Sequence, residues 1–248
     1  MDSGLAGRVA LVTGAGGGIG AEVARALAAE GCDVALVDRL VEGMRDVASG
    51  IEAMGHRCTT HVADVRDLDR AGAVVREVRE RLGRLDVLVS NAGIARDRAS
   101  WKMSEAEWDD VLDVNLKGFF AWARAVAPLM REAEWGRVVA VSSINGLRGK
   151  FGQANYAASK AGMIGLAKTL ARELGPKGVT VNVVAPGMVR TKMTASLPEE
   201  FVRAAVAETV LGRLAEPSDV AAAVAFLCSE GARHVTGEVL RVDGGQRM

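Results

Sequence analysis

Short apolar runs rich in valine recur along the chain, and stretches with apolar residues at helical spacing separate them. The runs predict seven strands, at residues 9–13, 34–38, 59–63, 87–90, 138–142, 179–184 and 239–242. Continuous apolar strands that alternate with helices are typical of a parallel sheet covered on both faces. No long linker or internal repeat divides the 248 residues. We therefore predict an α/β fold with one domain, residues 1–248, and a doubly wound parallel sheet.

A glycine-rich segment follows the first predicted strand, with the sequence Thr13-Gly14-Ala15-Gly16-Gly17-Gly18-Ile19-Gly20. Glycines allow backbone N–H groups to approach a pyrophosphate, and the N-terminus of a following helix adds partial positive charge. Helical spacing resumes after the segment, and Gly31 stands where that helix should end. Strand, glycines and helix thus occur in the order of a Rossmann-type dinucleotide site. The predicted cofactor contacts here are Gly14, Gly17, Gly18, Ile19 and Gly20.

The second predicted strand ends at Asp38, 18 residues after Gly20. A carboxylate at this place can accept hydrogen bonds from both hydroxyls of an adenine ribose, and it would repel a 2′-phosphate. The sequence therefore favours NAD over NADP. Arg39 keeps NADP open, because a guanidinium could pair with a phosphate if Asp38 turned away. Gly17 and Gly18 argue against NADP, since they leave the loop without a basic side chain.

Further polar residues follow the later strands: Asp64 the third, Asn91 the fourth, Ser143 the fifth and Pro186-Gly187 the sixth. Ligands of such sheets bind at the carboxyl ends of the strands, so we expect these residues on one rim. Asn91 has an alternative interpretation as a turn-capping residue. Asn115 lies within a predicted helix, where asparagine is unfavourable and usually has a partner or a kink to explain it.

Tyr156, the single tyrosine, lies four residues before Lys160, so the two share one face of a helix. A free phenol has a pKa of about 10 and is a poor base at neutral pH. An ammonium about 4 Å away would favour the phenolate by roughly 4 kcal/mol, or about 3 pKa units. With Ser143 and the glycine segment, the pair predicts hydride transfer at a secondary alcohol or ketone. The same spacing alone is more often a surface aromatic beside a solvated charge.

Composition narrows the choice of partner and compartment. Basic and acidic residues each number 31, and this balance favours neither nucleic acid nor an anionic membrane as a partner. Cys32, Cys58 and Cys228 lack metal-binding spacing, so no metal site is predicted, and we interpret them as buried thiols in a reducing compartment. No segment resembles a signal sequence or contains 18 uninterrupted apolar residues, so a soluble cytoplasmic protein is expected.

Taken together, these motifs resemble those of the short-chain dehydrogenase/reductase family, over about residues 7–245. The matching segments are Thr13-Gly14-x-x-x-Gly18-Ile19-Gly20, Asp64-Val65, Asn91-Ala92-Gly93-Ile94, Asn115, Ser143, Tyr156-x-x-x-Lys160, Pro186-Gly187-x-Val189-x-Thr191 and Val242-Asp243-Gly244-Gly245. The resemblance implies a catalytic set of four. Tyr156 would be the acid/base, and Lys160 would orient the nicotinamide ribose and lower the tyrosine pKa. Ser143 would bind the substrate oxygen, and Asn115 would hold a proton-relay water.

The resemblance also implies further contacts with the cofactor. Asp64 and Val65 would lie at the adenine, Asn91 along the adenosine, and Val189 and Thr191 at the carboxamide and diphosphate. The other predicted cofactor contacts from the matching segments are Ala92, Gly93, Tyr156, Lys160, Pro186 and Gly187. The family resemblance further implies a tetramer built on the helices that contain Tyr156 and Asn115, together with the C-terminal strand region. We expect a homotetramer, and a related second subunit stays open.

Within the family, segments 103–108, 114–118 and 152–156 look most like 3-oxoacyl-thioester reductases. Those enzymes usually use NADPH and have a basic residue at the position of Gly17 and no acid at that of Asp38. Their docking surface for an acidic carrier protein is basic, whereas Glu132 and Glu134 would repel such a carrier. We therefore expect an NAD-dependent oxidoreductase that interconverts 3-hydroxyacyl-CoA and 3-oxoacyl-CoA in a degradative pathway. One alternative is an NADPH-dependent 3-oxoacyl-[acyl-carrier-protein] or acetoacetyl-CoA reductase, and a second is a non-catalytic subunit that stabilises a partner.

The substrate is expected to be an acyl thioester. Its predicted contacts are Ser143, Asn145, Gln153, Tyr156 and Met188. Residues 188–213 are predicted to form a lid, in which Met188, Met193, Leu197 and Phe201 either line an apolar pocket or simply pack. Arg148 and Lys150 either meet CoA phosphates or are solvated charges. Small residues between 157 and 165 either admit a neighbouring subunit or pack within the chain.

Overall fold

The computed structural model describes residues 3–195 and 198–247 and is built on a central parallel sheet. Its strands are β1 Val9–Thr13, β2 Asp33–Asp38, β3 Cys58–Val62, β4 Val87–Ser90, β5 Gly136–Val141, β6 Val179–Pro186 and β7 Val239–Val242. In the described part of the chain these seven strands lie in the order β3-β2-β1-β4-β5-β6-β7, and each neighbouring pair is parallel. This confirms the predicted doubly wound sheet.

The helices cover both faces of this sheet. Their bounds are α1 Gly18–Ala29, α2 Val41–Ala53, α3 Leu68–Leu82, α4 Glu105–Leu112, α5 Gly118–Ala133, α6 Asn145–Arg148, α7 Ala154–Leu174, α8 Lys192–Ala195, α9 Glu199–Ala207 and α10 Pro217–Cys228. A π-helical turn, Asp113–Lys117, joins α4 to α5, and short 3₁₀ turns lie at Ser100–Lys102, Gly175–Lys177 and Glu230–Ala232. No helix in the described residues is both long and apolar enough to span a membrane.

Two hydrophobic cores lie on opposite faces of the sheet because successive side chains of each strand alternate between them. In β1, Val9 and Leu11 belong to the core beneath α3, α5 and α7, whereas Ala10 and Val12 belong to the core beneath α1, α2 and α10. All four of these side chains are fully buried. Burial on both faces explains why the strands read as continuous apolar runs instead of alternating ones.

The strands match their predicted positions apart from their ends. The strand β3 begins and ends one residue earlier than predicted, and β6 continues two residues further. The strand β5 begins at Gly136, two residues earlier, and includes the charged Arg137, which is 3% exposed. The Arg137 guanidinium stacks 4.2 Å from the Trp135 ring centroid and donates to Glu230 at 3.0 Å. A charged residue can be buried in a strand when it has such partners, although a charge at this place in the sequence suggests a loop.

The cysteines only partly match the expectation of buried thiols. Cys32 and Cys228 are buried, and Cys58 is half-buried. Burial raises the pKa of Cys32 and of Cys58 to about 12, and it raises the pKa of Cys228 as well. All three groups are therefore neutral thiols at physiological pH.

Candidate active site

A cleft of about 920 Å³ opens at the carboxyl ends of the strands, where the strand order reverses between β1 and β4. Ligands of open α/β sheets bind at such a reversal point. The predicted site residues that line this cleft are Gly14, Gly17, Gly18, Ile19, Asp38, Asn91, Ala92, Gly93, Ser143, Asn145, Gln153, Tyr156, Lys160, Pro186, Gly187, Met188, Val189 and Thr191. The cleft is large enough for a dinucleotide together with a substrate.

The glycine segment forms the floor of one end of the cleft. Gly14 and Gly18 have φ of 66° and 54°, a backbone region that favours glycine. A Cβ on Gly14 would lie 2.9 Å from the Cα of Ala92, whereas a Cβ on Gly17 would meet no atom within 4 Å. Gly14 therefore allows two loops to approach closely, and Gly17 leaves open space above the N-terminus of α1. This open, side-chain-free surface fits a diphosphate.

Asn91 joins the end of β4 to the glycine segment. Its Nδ2 donates to the main-chain oxygens of Thr13 and Gly14 at 3.0 and 3.1 Å, and its own N–H donates to the Thr13 hydroxyl at 3.1 Å. The Asn91 side chain thus fixes the loop geometry as well as lining the cleft. The structural and the binding interpretations of this residue are therefore compatible.

Asp38 lies at the end of β2 and faces the glycine segment. One carboxylate oxygen accepts from the N–H of Gly16 at 3.0 Å, and the other accepts from the N–H of Leu40 at 3.2 Å. These bonds hold the carboxylate at the cleft, and each oxygen keeps a lone pair for a further donor. Arg39 is exposed and does not line the cleft. The arrangement fits a ribose with free hydroxyls.

Tyr156 and Lys160 share one face of α7, with Tyr156 in its first turn. Asn155, which is fully buried, fixes the start of this helix by donating to the main-chain oxygens of Arg96 and Glu107. The Lys160 Nζ donates to the main-chain oxygen of Val141 at 2.8 Å and lies 5.7 Å from the centroid of the Tyr156 ring. The structure therefore brings the predicted phenol and ammonium together at the end of β5.

The pKa values of this pair differ from the sequence-based expectation. Burial raises the pKa of Tyr156, a hydrogen bond with Ser143 opposes this, and the Asp97 carboxylate adds to the rise. Burial also lowers the pKa of Lys160 to about 8. Lys160 is not among the groups that shift this pKa in the chain by itself, so the lowering of the tyrosine pKa by Lys160 stays a prediction. At neutral pH, Tyr156 is a protonated phenol that can act as an acid.

Asn115 lies in the π-helical turn and is 1% exposed. Its Oδ1 accepts from the N–H of Ile94 at 2.9 Å, and its Nδ2 donates to the Ile94 oxygen and to the Ser159 hydroxyl at 3.1 and 3.0 Å. The structure therefore shows both a partner and a helix irregularity, as an asparagine at this place suggested. Asn115 does not line the cleft, and its role in proton relay stays a prediction.

The substrate end of the cleft includes a residue that the sequence did not indicate, Asp97. Its carboxylate accepts from the Gln153 Nε2 at 2.9 Å, and Gln153 Oε1 accepts from the Asn145 Nδ2 at 2.9 Å. The N–H of Asn145 donates to the Ser143 Oγ at 3.1 Å. Asp97 belongs to no recognised motif, and only its place in the loop after β4 could have suggested it.

Some predicted cofactor residues lie outside the cleft lining. Gly20 packs beneath the loop, where a Cβ would lie 2.1 Å from the Gly14 oxygen. Val65 is buried, and Asp64 forms a bidentate ion pair with Arg66 at 3.0 and 2.7 Å, which lowers the pKa of the Asp64 carboxyl. Adenine contacts from Asp64 and Val65 stay predictions.

The predicted lid contributes three described residues to the cleft lining in addition to Val189 and the threonines: Met188, Pro198 and Phe201. Leu197 lies outside the described residues, and the Met193 side chain also lies outside what the structure describes. At the mouth of the cleft, the exposed rings of Trp101 and Phe151 pack edge to face with centroids 6.2 Å apart.

Comparisons with known proteins agree with this geometry. A family model described as enoyl-(acyl carrier protein) reductase matches residues 14–247. The chain is 43% identical over 241 residues to a 3-oxoacyl-[acyl-carrier-protein] reductase of Thermotoga maritima, which covers 97% of this chain and 98% of the relative. It is 44% identical over 240 residues to the enzyme of the same name from Staphylococcus aureus, covering 96% and 98%.

Further similarity comes from a protein of another name and from a solved structure. Nodulation protein G of Azospirillum brasilense is 42% identical over 241 residues, covering 96% of this chain and 97% of the relative. A crystal structure of a putative short-chain alcohol dehydrogenase from Sinorhizobium meliloti superposes with a TM-score of 0.94 at 39% identity, covering 97% and 96%. The chain therefore belongs to the short-chain dehydrogenase/reductase family of oxidoreductases, which act on secondary alcohols and ketones.

Proposed function

We propose that the protein reduces 3-oxoacyl thioesters, with CoA as the carrier and NADH as the reductant. The main observation is that the Tyr156 phenol, whose pKa is raised by burial, lines the same cleft as Ser143, Lys160 and Asp38. The named reductases at 43% and 44% identity favour this reductive alternative over the degradative dehydrogenase expected from the sequence.

In this proposal, Tyr156 donates its proton to the ketone oxygen as that oxygen gains negative charge. Ser143 is held by the N–H of Asn145 and steadies the same oxygen. A reduced nicotinamide, when bound in this cleft, would supply the hydride for the carbonyl carbon. Lys160 is largely charged below its pKa of about 8, and it stabilises the phenolate that remains after proton transfer.

Asp38 supports NADH as the proposed reductant. Its carboxylate is oriented by the N–H groups of Gly16 and Leu40 and can accept from ribose hydroxyls. A 2′-phosphate at the same place would be repelled. The residues that would hold the rest of the dinucleotide are the glycine segment, Asn91, Lys160 and the loop that contains Val189 and Thr191.

The charges near the end of α5, where a basic docking surface for a carrier protein would be expected, and those at the cleft support CoA over an acidic carrier protein. On the surface near the end of α5, Glu134 pairs with Lys177 at 2.8 Å, and the acids Glu132 and Glu134 match the bases Arg131 and Lys177 in number. This balanced surface gives little attraction to an acidic partner. Lys150 is exposed at the cleft and forms no ion pair with a described residue, so it is suited to a CoA phosphate.

Turnover of acetoacetyl-CoA with NADH, followed by the loss of reduced-cofactor absorbance, tests the proposal. Tyr156→Phe removes the proton donor but keeps the ring, and we expect kcat to fall by roughly 10²- to 10⁴-fold. Thermal unfolding of the variant should stay close to that of the unmodified protein. A Tyr156→Phe variant with undiminished turnover would contradict the assigned chemistry, and turnover of only the carrier-protein thioester would contradict CoA.

A further inference from the structure

An unbroken chain of hydrogen-bonded side chains runs along the substrate side of the cleft, from the loop after β4 to the C-terminal segment. Its members, in spatial order, are Asp97, Gln153, Asn145, Arg148, Glu208 and Gln246. All of them except Glu208 line the cleft. The residues come from four separate loops or helix ends, so the chain joins segments that the sequence places far apart.

Arg148 is the central member of this chain because its guanidinium donates in three directions. Nε donates to the Asn145 Oδ1 at 3.2 Å, Nη2 to the Glu208 Oε2 at 2.9 Å, and Nη1 to the main-chain oxygen of Gln246 at 3.4 Å. The planar fork of the arginine guanidinium suits such divergent acceptors, whereas a lysine ammonium is a compact point charge. The Arg148 side chain is 27% exposed and the Glu208 side chain 50%, so water screens their ion pair, and the geometry of the three bonds matters more than the charge.

Glu208 belongs to the predicted lid, directly after α9. Its Oε2 accepts from both Arg148 and the Gln246 Nε2, the latter at 2.8 Å. The Gln246 Oε1 in turn accepts from the N–H of Met188 at 3.3 Å. Gln246 therefore bonds both to Met188, where the predicted lid begins, and to Glu208, directly after α9.

The other side of Arg148 leads to the reacting centre. Asn145 accepts from Arg148 through its side chain, donates to Gln153 through the same amide, and donates to the Ser143 Oγ through its main-chain N–H. Arg148 therefore lies between the lid and the residues next to Tyr156. Three of its five N–H donors are engaged within the protein, whereas Lys150 forms no ion pair with a described residue.

We propose that Arg148 is a positioning residue that holds α9 over the bound thioester, through a latch made of Arg148, Glu208 and Gln246. This inference rests on the proposed reduction of a thioester, and it concerns how the substrate is retained, not the proton transfer at Tyr156. Because the latch closes the cleft around the acyl group, breaking it should raise KM. The value of kcat depends on the Tyr156 phenol and should change little.

Kinetics of the latch variants give the first test. Arg148→Ala and Glu208→Gln should each raise the KM for acetoacetyl-CoA roughly five- to tenfold, with kcat changed less than about twofold. The double variant should be no worse than either single one, because both remove the same interaction. Arg148→Lys should restore only part of the affinity, since an ammonium cannot replace three divergent N–H donors.

Two controls lie outside the latch. The pair Lys177 and Glu134, 2.8 Å apart and remote from the cleft lining, provides the matched variants Lys177→Ala and Glu134→Gln. Glu200→Gln removes a charge from α9 at a residue without an ion pair to any described residue. All three should keep the KM of the unmodified protein. A KM that rises for Arg148→Ala but not for Glu208→Gln would mean direct contact of Arg148 with substrate and would overturn the latch.

Amide hydrogen exchange of residues 199–213 in the free protein gives a test that needs no turnover. Breaking the latch should raise exchange in this segment for Arg148→Ala and Glu208→Gln, and not for Glu200→Gln. Faster exchange in a protein that reduces no thioester would support the latch while contradicting the proposed function. Unchanged exchange in both latch variants would contradict the latch whatever the activity.

Discussion

At the scale of single residues, Lys160 shows that burying a charge in the cleft costs folding free energy. Lys160 is 3% exposed, and its ammonium has one hydrogen-bonded partner among the described residues, the Val141 oxygen. Burial lowers its pKa from 10.5 to about 8, which corresponds to about 3 kcal/mol between the charged and neutral forms. The chain therefore keeps a charge beside Tyr156 at a cost to stability, as active sites commonly do.

This cost predicts a pH dependence of stability. Between pH 8 and 10.5 the unfolded chain binds the Lys160 proton more strongly than the folded chain, so the free energy of unfolding should rise with pH in this range. Relative to Lys160→Met, the unmodified protein should gain about 2 kcal/mol between pH 7 and pH 10. Urea unfolding at the two pH values measures the difference, and parallel behaviour of the two proteins would show that Lys160 is not strongly desolvated.

Asp38 gives a second prediction at this scale. Asp38→Ala removes the acceptor for the ribose hydroxyls and the negative charge that repels a 2′-phosphate. We expect the KM for NADH to rise about tenfold or more, and the preference over NADPH to fall by a similar factor. Steady-state kinetics with both cofactors measure this. A preference of the unmodified protein for NADPH would contradict the role assigned to Asp38.

At the scale of secondary structure, the π-helical turn between α4 and α5 positions Asn115 beside Ile94. The extra residue in this turn shifts the helix register, and π-turns often occur at functional sites. Asn115 satisfies both main-chain groups of Ile94, which follows the cleft-lining Gly93. The turn therefore fixes the loop after β4 from the opposite side to Asn91.

Replacing Asn115 tests this structural role. Asn115→Leu keeps the volume but leaves the N–H and the oxygen of Ile94 without this partner, which should cost about 2 to 4 kcal/mol of unfolding free energy. Ser159→Ala removes only one of the Asn115 hydrogen bonds and should cost about 1 kcal/mol. Denaturant unfolding of both variants gives the comparison, and equal stabilities would argue against Asn115 as a fixed point of the loop.

The same elements show what could be predicted from the sequence. Apolar runs identify the strands well because both faces of the sheet are buried. The spacing of Tyr156 and Lys160 identifies the face of α7 that lines the cleft. The early start of β5 could not be predicted. The charge of Arg137 is stabilised by the Trp135 ring and by the Glu230 carboxylate, and Glu230 is remote in sequence. The contacts of Asp97 are likewise tertiary and leave no periodic signal.

At the scale of the whole molecule, the small residues of α7 either pack within the chain or lie exposed where a neighbouring subunit could contact them. Gly162 packs within the chain, because a Cβ there would lie 2.8 Å from the Leu116 side chain. Ala158, Ala161 and Gly165 are exposed, and a Cβ on Gly165 would meet no atom within 4 Å. The exposed face of this helix can therefore admit a neighbouring subunit closely, which is compatible with the predicted homotetramer.

Light scattering during size-exclusion chromatography tests this assembly. For a chain of 26.0 kDa we expect a particle of about 104 kDa. Gly165→Glu should lower that mass, because it introduces a charged side chain on the α7 face, while the open space around Gly165 and the better helix propensity of glutamate keep the subunit folded. Gly50→Glu on α2, where only the Arg25 Nε lies within 4 Å of a Cβ, is the matched control and should leave the mass unchanged. A Gly165→Glu protein that keeps the full mass would exclude this face from the subunit contact.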